Sequence, residues 1–267
     1  MLTRWIGDEP ERLQKQLLPW VETHPGASFD ETPLHRHRPT TLFETAVEPM
    51  KEHAIKGVIW YQGEQNAQNK IQSEWHKKSF PHLIKSFRDN WNQSELPFYY
   101  VQLPGFGDKM WPEFREQQRS FLKIPNTAMA VSIDLGDVKN IHPKDKRPIG
   151  ERLARLASKN TYAKNIVADS PYPIKMNVEG SNVTATYAGV GTGLKSSIEL
   201  ISHFELAGPD QYFHSAKAKI ISKNQLMITS NSVETPSYLR YAWKPFPRPL
   251  SLSNSEDLPA VPFTKKL

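Results

Sequence analysis

A short apolar run that ends in a group of amides and one carboxylate is the part of this chain best suited to chemistry. Residues 58–61 read Val-Ile-Trp-Tyr, and Gln62, Gly63, Glu64 and Asn66 follow within five positions. The β-branched and aromatic residues favour a buried parallel strand, which needs no polar alternation because helices cover both faces. Ligands bind at the carboxyl ends of strands in open α/β sheets, so we expect these four positions to line a site. The glycine lets the backbone approach a substrate closely.

An imidazole and two carboxylates follow a second predicted strand. Residues 127–133 favour a buried strand, and Asp134, Asp137 and His142 lie just beyond it. A neutral imidazole can act as a general base near neutral pH, and a carboxylate can orient it. Asp137 is closer to His142 in sequence and is the preferred partner. Asp134 stays an alternative, which can instead hold the loop through backbone N–H groups.

The order of predicted elements indicates an α/β fold with a parallel sheet. Strands are predicted at 58–61, 98–103 and 127–133, and apolar residues at helical spacing predict helices between and after them. Further helices are predicted over 9–21 and from 42 to 50. Alternating strands and helices give a sheet with helices on both faces. Short β-rich segments from about residue 171 onward favour a smaller β domain, which gives domains at 1–165 and 166–267.

Composition excludes several classes of protein. The 267 residues are 38% hydrophobic, enough for one large core, and carry a net charge of +6 with a pI near 9.3. Lys and Arg are scattered, so we expect no nucleic-acid partner. The chain has no cysteine and therefore no disulfide or thiol nucleophile. No segment has the length of a membrane span, the first residues lack the apolar core of a signal peptide, and we expect no membrane partner.

The segment 57–67, Gly-Val-Ile-Trp-Tyr-Gln-Gly-Glu-Gln-Asn-Ala, resembles a signature of the sialate O-acetylesterase family, which belongs to the SGNH (GDSL-like) hydrolases. Six further blocks occur in the order that this family has. They lie at residues 38–43, 96–104, 134–137 with 141–146, 204–208, 240–243 and 258–263. The resemblance implies a partial SGNH-type three-layer α/β/α domain followed by a small β-rich region.

The same resemblance implies ester hydrolysis of an acetylated sugar by a serine mechanism, without a cofactor. His142 then takes the role of the base and Asn66 that of an oxyanion donor, while Gln62, Gly63 and Glu64 build the pocket. Capping of the following helix is the alternative role for Asn66. SGNH enzymes often place an aspartate three residues before the histidine, but Lys139 occupies that position here. The serine that usually precedes the asparagine is Gln65, and that serine is not the nucleophile of the family.

The nucleophile of the family lies in a Gly-Gln-Ser-Asn block, and no such block occurs in these 267 residues. Ser28, which follows Gly26-Ala27, resembles this block only weakly. We therefore expect residues 1–38 to begin just beyond the missing blocks. Three explanations are open: a truncated gene start, a split enzyme with the serine on a second chain, or an inactive glycan-binding relative.

Two further expectations complete this reading of the sequence. His35 and His37, with His53, His76 and His82, match no strong metal motif, so no metal site is expected. The compartment cannot be read from the residues, although the family resemblance implies an extracytoplasmic location.

Overall fold

The computed structural model describes residues 42–267, which fall into two compact units. Of the described residues, 42–55 and 85–94 belong to the first unit, and 56–84 and 95–267 belong to the second. The helix predicted over 9–21, together with Ser28, His35 and His37, lies outside the described residues.

The described part of the first unit contains short helical turns. A π-helical turn, Phe43–Val47, is followed by a 3-10 turn, Glu48–Met50. The helix predicted from 42 to 50 is present, but it consists of a π-helical turn and a 3-10 turn, and Pro49 lacks the N–H that a continuous α-helix needs. Within the same unit the Trp91 indole N–H donates to the carbonyl of His53 at 3.0 Å, and its ring stacks on Phe87 at 5.6 Å.

A parallel three-stranded sheet forms the centre of the second unit. The strands are β1 (Val58–Trp60), β2 (Phe98–Val101) and β3 (Thr127–Ala130), in the order β1-β2-β3. Ile59 pairs with Tyr99, and Tyr100 pairs with Met129. The helices are α1 (Glu64–Ala67), α2 (Lys70–Asn90), α3 (Trp111–Ser120) and α4 (Arg147–Asn160), and a 3-10 turn, Phe121–Lys123, follows α3.

Alternate side chains of β2 pack on helices from opposite faces of the sheet. Phe98 and Tyr100 meet the Phe80 ring of α2 edge to face, with ring centroids 5.8 and 5.3 Å apart. Tyr99 and Val101 belong to the cluster that contains Ile149, Leu153 and Leu156 of α4. This period of two places helices on both faces and confirms the predicted α/β class.

The chain beyond α4 is built from antiparallel strands, as predicted. A seven-stranded sheet has the order β12-β10-β7-β8-β9-β5-β4, and β6 pairs with β11 in a separate two-stranded sheet. In β5, Val183, Ala185 and Tyr187 are buried at alternate positions. The division into domains at residue 165 stays a prediction. The strands are β4 (Tyr172–Glu179), β5 (Asn182–Ala188), β6 (Leu194–Ser196), β7 (Ile201–Ala207), β8 (His214–Ser222), β9 (Gln225–Thr229), β10 (Tyr238–Tyr241), β11 (Leu252–Asn254) and β12 (Phe263–Lys266).

Between residues 42 and 267, no helix combines the length and the apolar character that a bilayer crossing requires.

A buried histidine joins α2 to α3 in the core. The side-chain amide of Gln117 lies 2.9 Å from Nδ1 of His76, and the Ser73 hydroxyl donates to Oε1 of the same glutamine at 2.8 Å. The imidazole stacks on Phe80 and contacts Phe114. Burial lowers the pKa of His76 from 6.5 to about 4, so this histidine is neutral at pH 7.

We predict that His76 makes the fold sensitive to acid. The pKa is lower in the folded state than in the unfolded state, so the unfolded chain takes up the proton first as the pH falls below 6.5. The free energy of unfolding should drop by about 2–3 kcal/mol from this residue between pH 7 and pH 4.5. A His76→Gln variant should lose correspondingly less over the same range, as measured by urea unfolding at each pH. Parallel profiles for the two proteins would contradict this role.

Candidate functional site

Three loops leave the same edge of the parallel sheet. Because β1, β2 and β3 run in one direction, their carboxyl ends meet at one edge, where α/β proteins bind ligands. The loop after β1 carries Gln62 and Gly63 and leads into α1, which contains Glu64 and Asn66. The loop after β2 begins at Gln102, and the loop after β3 reaches His142. All the residues that the sequence singled out for chemistry lie on the first of these loops with α1, or on the third.

The amide of Asn66 is oriented by Gln62. Nε2 of Gln62 donates to Oδ1 of Asn66 at 2.9 Å, which leaves the NH₂ group of Asn66 as a donor. Asn66 does not cap the following helix, since Oδ1 of Asn69 accepts from the backbone N–H of Gln72 at 2.9 Å and takes that role. Gln62 thus orients the amide of the partly buried Asn66 through its oxygen, and the NH₂ group can donate elsewhere.

Gly63 makes the turn from β1 into α1 possible. Its φ is +147°, and a Cβ at this position would lie 2.8 Å from Cε1 of Phe114. Both the conformation and the contact with α3 therefore require glycine. Next to this turn, burial and the nearby carboxylate of Glu64 raise the pKa of the Tyr61 phenol, which stays protonated.

His142 lies on a loop in which two side-chain oxygens accept hydrogen bonds from backbone N–H groups a few residues further on. Oδ1 of Asp137 accepts from the backbone N–H groups of Lys139 and Asn140 at 2.7 and 3.1 Å. Oδ1 of Asn140 in turn accepts from the backbone N–H of His142 at 2.9 Å. The imidazole is exposed, and among residues 42–267 it has no hydrogen-bond partner. Asp137 thus holds the backbone of the loop in this structure.

Asp134 is bound by an arginine that the sequence reasoning missed. Nη1 and Nη2 of Arg152 donate to the two carboxylate oxygens of Asp134 at 2.7 and 2.6 Å, and Nη1 also donates to the carbonyl of Val131 at 2.6 Å. The Arg152 residue is only 9% exposed. Its place beside Leu153, on the apolar face of α4, was the signal that its charge needs a partner.

A small apolar cluster brings the first and third loops together. It consists of Ala67, Leu103, Trp111 and Phe114, with partly buried Tyr61, Phe106 and Ile141 packed against it. Ala67 directly follows Asn66, and Ile141 directly precedes His142. The Nζ atom of Lys146 also lies 4.5 Å from the ring centroid of Tyr61. The backbone next to the candidate donor and the backbone next to the candidate base are therefore anchored in one cluster.

Trp111 belongs to the core of this cluster and is not a platform for a sugar ring. It is fully buried, and its indole N–H donates to the carbonyl of Pro104 at 2.7 Å. In the described part of the chain, no group of three or more His, Asp or Glu side chains is placed to hold a metal ion.

Two glycines fix the distance between the second and third loops. Gly105 and Gly136 form an isolated parallel bridge, and the Gly105 N–H donates to the carbonyl of Leu135 at 3.0 Å. Gly136 has φ +106°, and a Cβ there would lie 2.2 Å from the carbonyl oxygen of Gly105. The loop that leads to His142 can approach the loop after β2 only without a side chain at this point.

We predict that Gly136→Ala destabilises the protein strongly while Gly150→Ala does not. The first change combines a positive φ with a backbone clash and should lower the free energy of unfolding by more than about 2 kcal/mol. Gly150 lies in α4 with nothing within 4 Å of a Cβ, so alanine there should add about 0.5–1 kcal/mol. Urea unfolding of both variants tests the pair. Equal effects would mean that the close approach does not exist in solution.

Comparisons with known proteins agree with the motifs. The family described as carbohydrate esterase, sialic acid-specific acetylesterase, matches residues 25–159. The sialate O-acetylesterase of Mus musculus is 29% identical over 263 residues, which cover 86% of this chain and 48% of that protein. The Homo sapiens sialate O-acetylesterase is 28% identical over 259 residues, covering 84% and 48%.

A solved structure gives the same relation. The crystal structure of a carbohydrate acetylesterase from Xanthomonas citri superposes with a TM-score of 0.80 at 32% sequence identity, over 85% of this chain and 54% of that one. The chain spans about half the length of the curated relatives it matches.

Proposed function

Because the chain belongs to the sialic acid-specific acetylesterase family of carbohydrate esterases, we propose that it works in the hydrolysis of O-acetyl esters on sialic acid or a related acylated sugar. The observation that carries this proposal is the single apolar cluster shared by Ala67, the sequence neighbour of Asn66, and Ile141, the sequence neighbour of His142. An oxyanion donor and a base at one sheet edge are two of the parts that acyl transfer needs.

In the proposed mechanism a serine hydroxyl attacks the acetyl carbonyl carbon while His142 takes the hydroxyl proton. The carbonyl oxygen becomes an oxyanion, to which the Asn66 NH₂ group donates, and Gln62 keeps that group in place. His142 then returns the proton to the departing sugar oxygen. Water, activated by the same imidazole, hydrolyses the acetyl-serine ester. Gly63 and Glu64 complete the wall of the pocket beside Asn66.

Asp137 is the better candidate to orient His142. Both oxygens of Asp134 are engaged by Arg152, whereas Asp137 uses only Oδ1 for the backbone and keeps Oδ2 available. The proposal therefore gives Asp137 the catalytic carboxylate and Asp134 a structural ion pair. A rotation of the exposed imidazole toward Asp137 completes the arrangement.

The serine is proposed to lie on a polypeptide segment outside these 267 residues. No Gly-Gln-Ser-Asn block occurs in the sequence. In support, Ile59 of β1 is 67% exposed, and within residues 42–267 β1 pairs only with β2. The unpaired side of an apolar strand such as β1 can accept a further strand. A parallel strand beside β1 would have its carboxyl end near Asn66 and His142.

Complementation tests the proposed enzyme. We predict that the 267-residue chain releases acetate from O-acetylated N-acetylneuraminic acid only slowly, and that co-expression with a polypeptide carrying the Gly-Gln-Ser-Asn block raises the rate by orders of magnitude. In this complemented preparation His142→Ala should remove about four orders of magnitude of kcat. His214→Ala, an exposed histidine on β8, is the matched control and should leave the rate unchanged.

The alternative function is a catalytically inactive glycan-binding protein or partner subunit, which the absence of the block favours. It predicts that the complemented preparation stays inactive and that His142→Ala changes nothing. Sugar binding without acetate release would decide for this alternative.

Substitution of the two aspartates should have different effects on stability and on kcat. We predict that Asp134→Asn lowers the free energy of unfolding by about 1–3 kcal/mol, because the buried Arg152 loses its charge partner. Asp137→Asn should keep stability within about 1 kcal/mol, since an amide oxygen still accepts the two backbone N–H groups, yet lower kcat of the complemented preparation by about 10²–10⁴. Unfolding curves and initial rates are compared for both variants. A loss of kcat in Asp134→Asn alone would mean that Asp134, and not Asp137, is the carboxylate that orients His142.

A further inference from the structure

A polar cavity of about 380 Å³ lies beside Asp134. Its walls come from β6 and β11, which pair with Ser253 opposite Lys195, and from the residues next to them. The volume falls in the range of small-ligand sites. Since Asp134 follows β3, the cavity opens beside the loop that leads to His142.

The charges of the cavity cancel in pairs. Arg152 binds both oxygens of Asp134, and Nζ of Lys195 lies 2.7 Å from Oδ1 of Asp257. Both cations are therefore already engaged with carboxylates. Each carboxylate still has lone pairs that can accept from hydroxyl groups. The cavity suits a neutral ligand that donates hydrogen bonds better than an anion that needs a free cation.

The remaining lining offers both hydroxyl groups and apolar surface. Ser197 and Ser253 contribute hydroxyl groups, and Leu250 and Pro259 contribute carbon surface. A pyranose ring has the complementary character, with hydroxyl groups at its edge and C–H groups on its faces. Carboxylates, hydroxyls and an apolar wall together match a sugar more closely than a purely apolar or a phosphorylated ligand.

A larger cavity elsewhere does not suit the same role. It measures about 560 Å³ and is lined by Pro97, Asn126 and Thr127, which precede β2 or begin β3. That position is the amino end of the sheet, opposite the site edge. The smaller cavity is lined by Asp134, which follows the carboxyl end of β3, the end of the sheet that carries the candidate site.

We infer that the 380 Å³ cavity binds a neutral pyranose unit, the neighbour of the acylated sugar in a longer glycan. The link to the acylated sugar rests on the proposed function, whereas the binding of a neutral pyranose stands on the cavity itself. The preferred substrate is then an oligosaccharide or glycoside, with its acylated unit at Asn66 and His142.

Binding can be followed on the whole chain by two-dimensional amide NMR with methyl β-galactopyranoside as the probe. We expect shifts at the backbone amides of Ser197, Ser251 and Ser253, and smaller shifts with N-acetylneuraminic acid. Ser197→Trp, at an exposed rim position, should fill the cavity and remove the shifts. Ser232→Trp, at an equally exposed serine away from the cavity, should leave them unchanged.

The Lys195→Met variant tests whether the cavity prefers a neutral ligand or an anionic one. Binding of the galactoside should persist, because Lys195 is engaged with Asp257. Stronger shifts with N-acetylneuraminic acid that vanish in Lys195→Met would overturn the inference, as would shifts outside the cavity or none with the galactoside. Failure of acetate release in the complemented preparation would leave these binding results intact, so the two proposals fail separately.

Discussion

The backbone contact between Gly105 and Gly136 is the constraint on which the site depends. Parallel pairing of β2 and β3 brings their carboxyl ends close, and the absence of side chains lets the two loops touch directly after the strands end. From this contact the third loop runs past Asp137 to Ile141 and docks on the Trp111 cluster. The position of His142 relative to Asn66 therefore follows from a main-chain contact more than from any hydrogen bond of the imidazole.

Residues from far along the chain support the same loops. The buried guanidinium of Arg115 on α3 donates to the carbonyls of Lys244 and Pro245, and the Phe106 N–H also donates to Pro245 at 3.1 Å. The ring of Phe246 lies against Gly105. An arginine that bonds only to carbonyls holds its charge through dipoles, and its burial would be costly without them. Removing the residues beyond β10 would thus disturb the loop after β2.

Much of this arrangement could be predicted from the residues, because the apolar patterns are strong. The apolar run at 98–103, the helical stripe of α4 and the apolar run before Gln62 each predicted the correct element, and all three concern burial, which a local pattern reports well. The pairs formed across the fold could not be predicted in this way. Arg152 with Asp134 and Gln117 with His76 join residues 18 and 41 positions apart, and no local spacing identifies such partners. At Phe43–Val47 and Glu48–Met50 the apolar spacing predicted a helix, but it could not predict the π-helical and 3-10 turns that form around Pro49.

The double contact of Asp134 has a thermodynamic consequence. Its carboxylate binds Arg152, which also holds the carbonyl of Val131 just past β3, and the same carboxylate lines the polar cavity. Any molecule that bonds to Asp134 thereby interacts with the end of the strand. Linkage makes this effect reciprocal: a ligand that strengthens the strand end must bind more weakly, by the same factor, when that end is loosened. Ligand binding in the cavity and the stability of the loop that leads to His142 are therefore coupled through the carboxylate of Asp134.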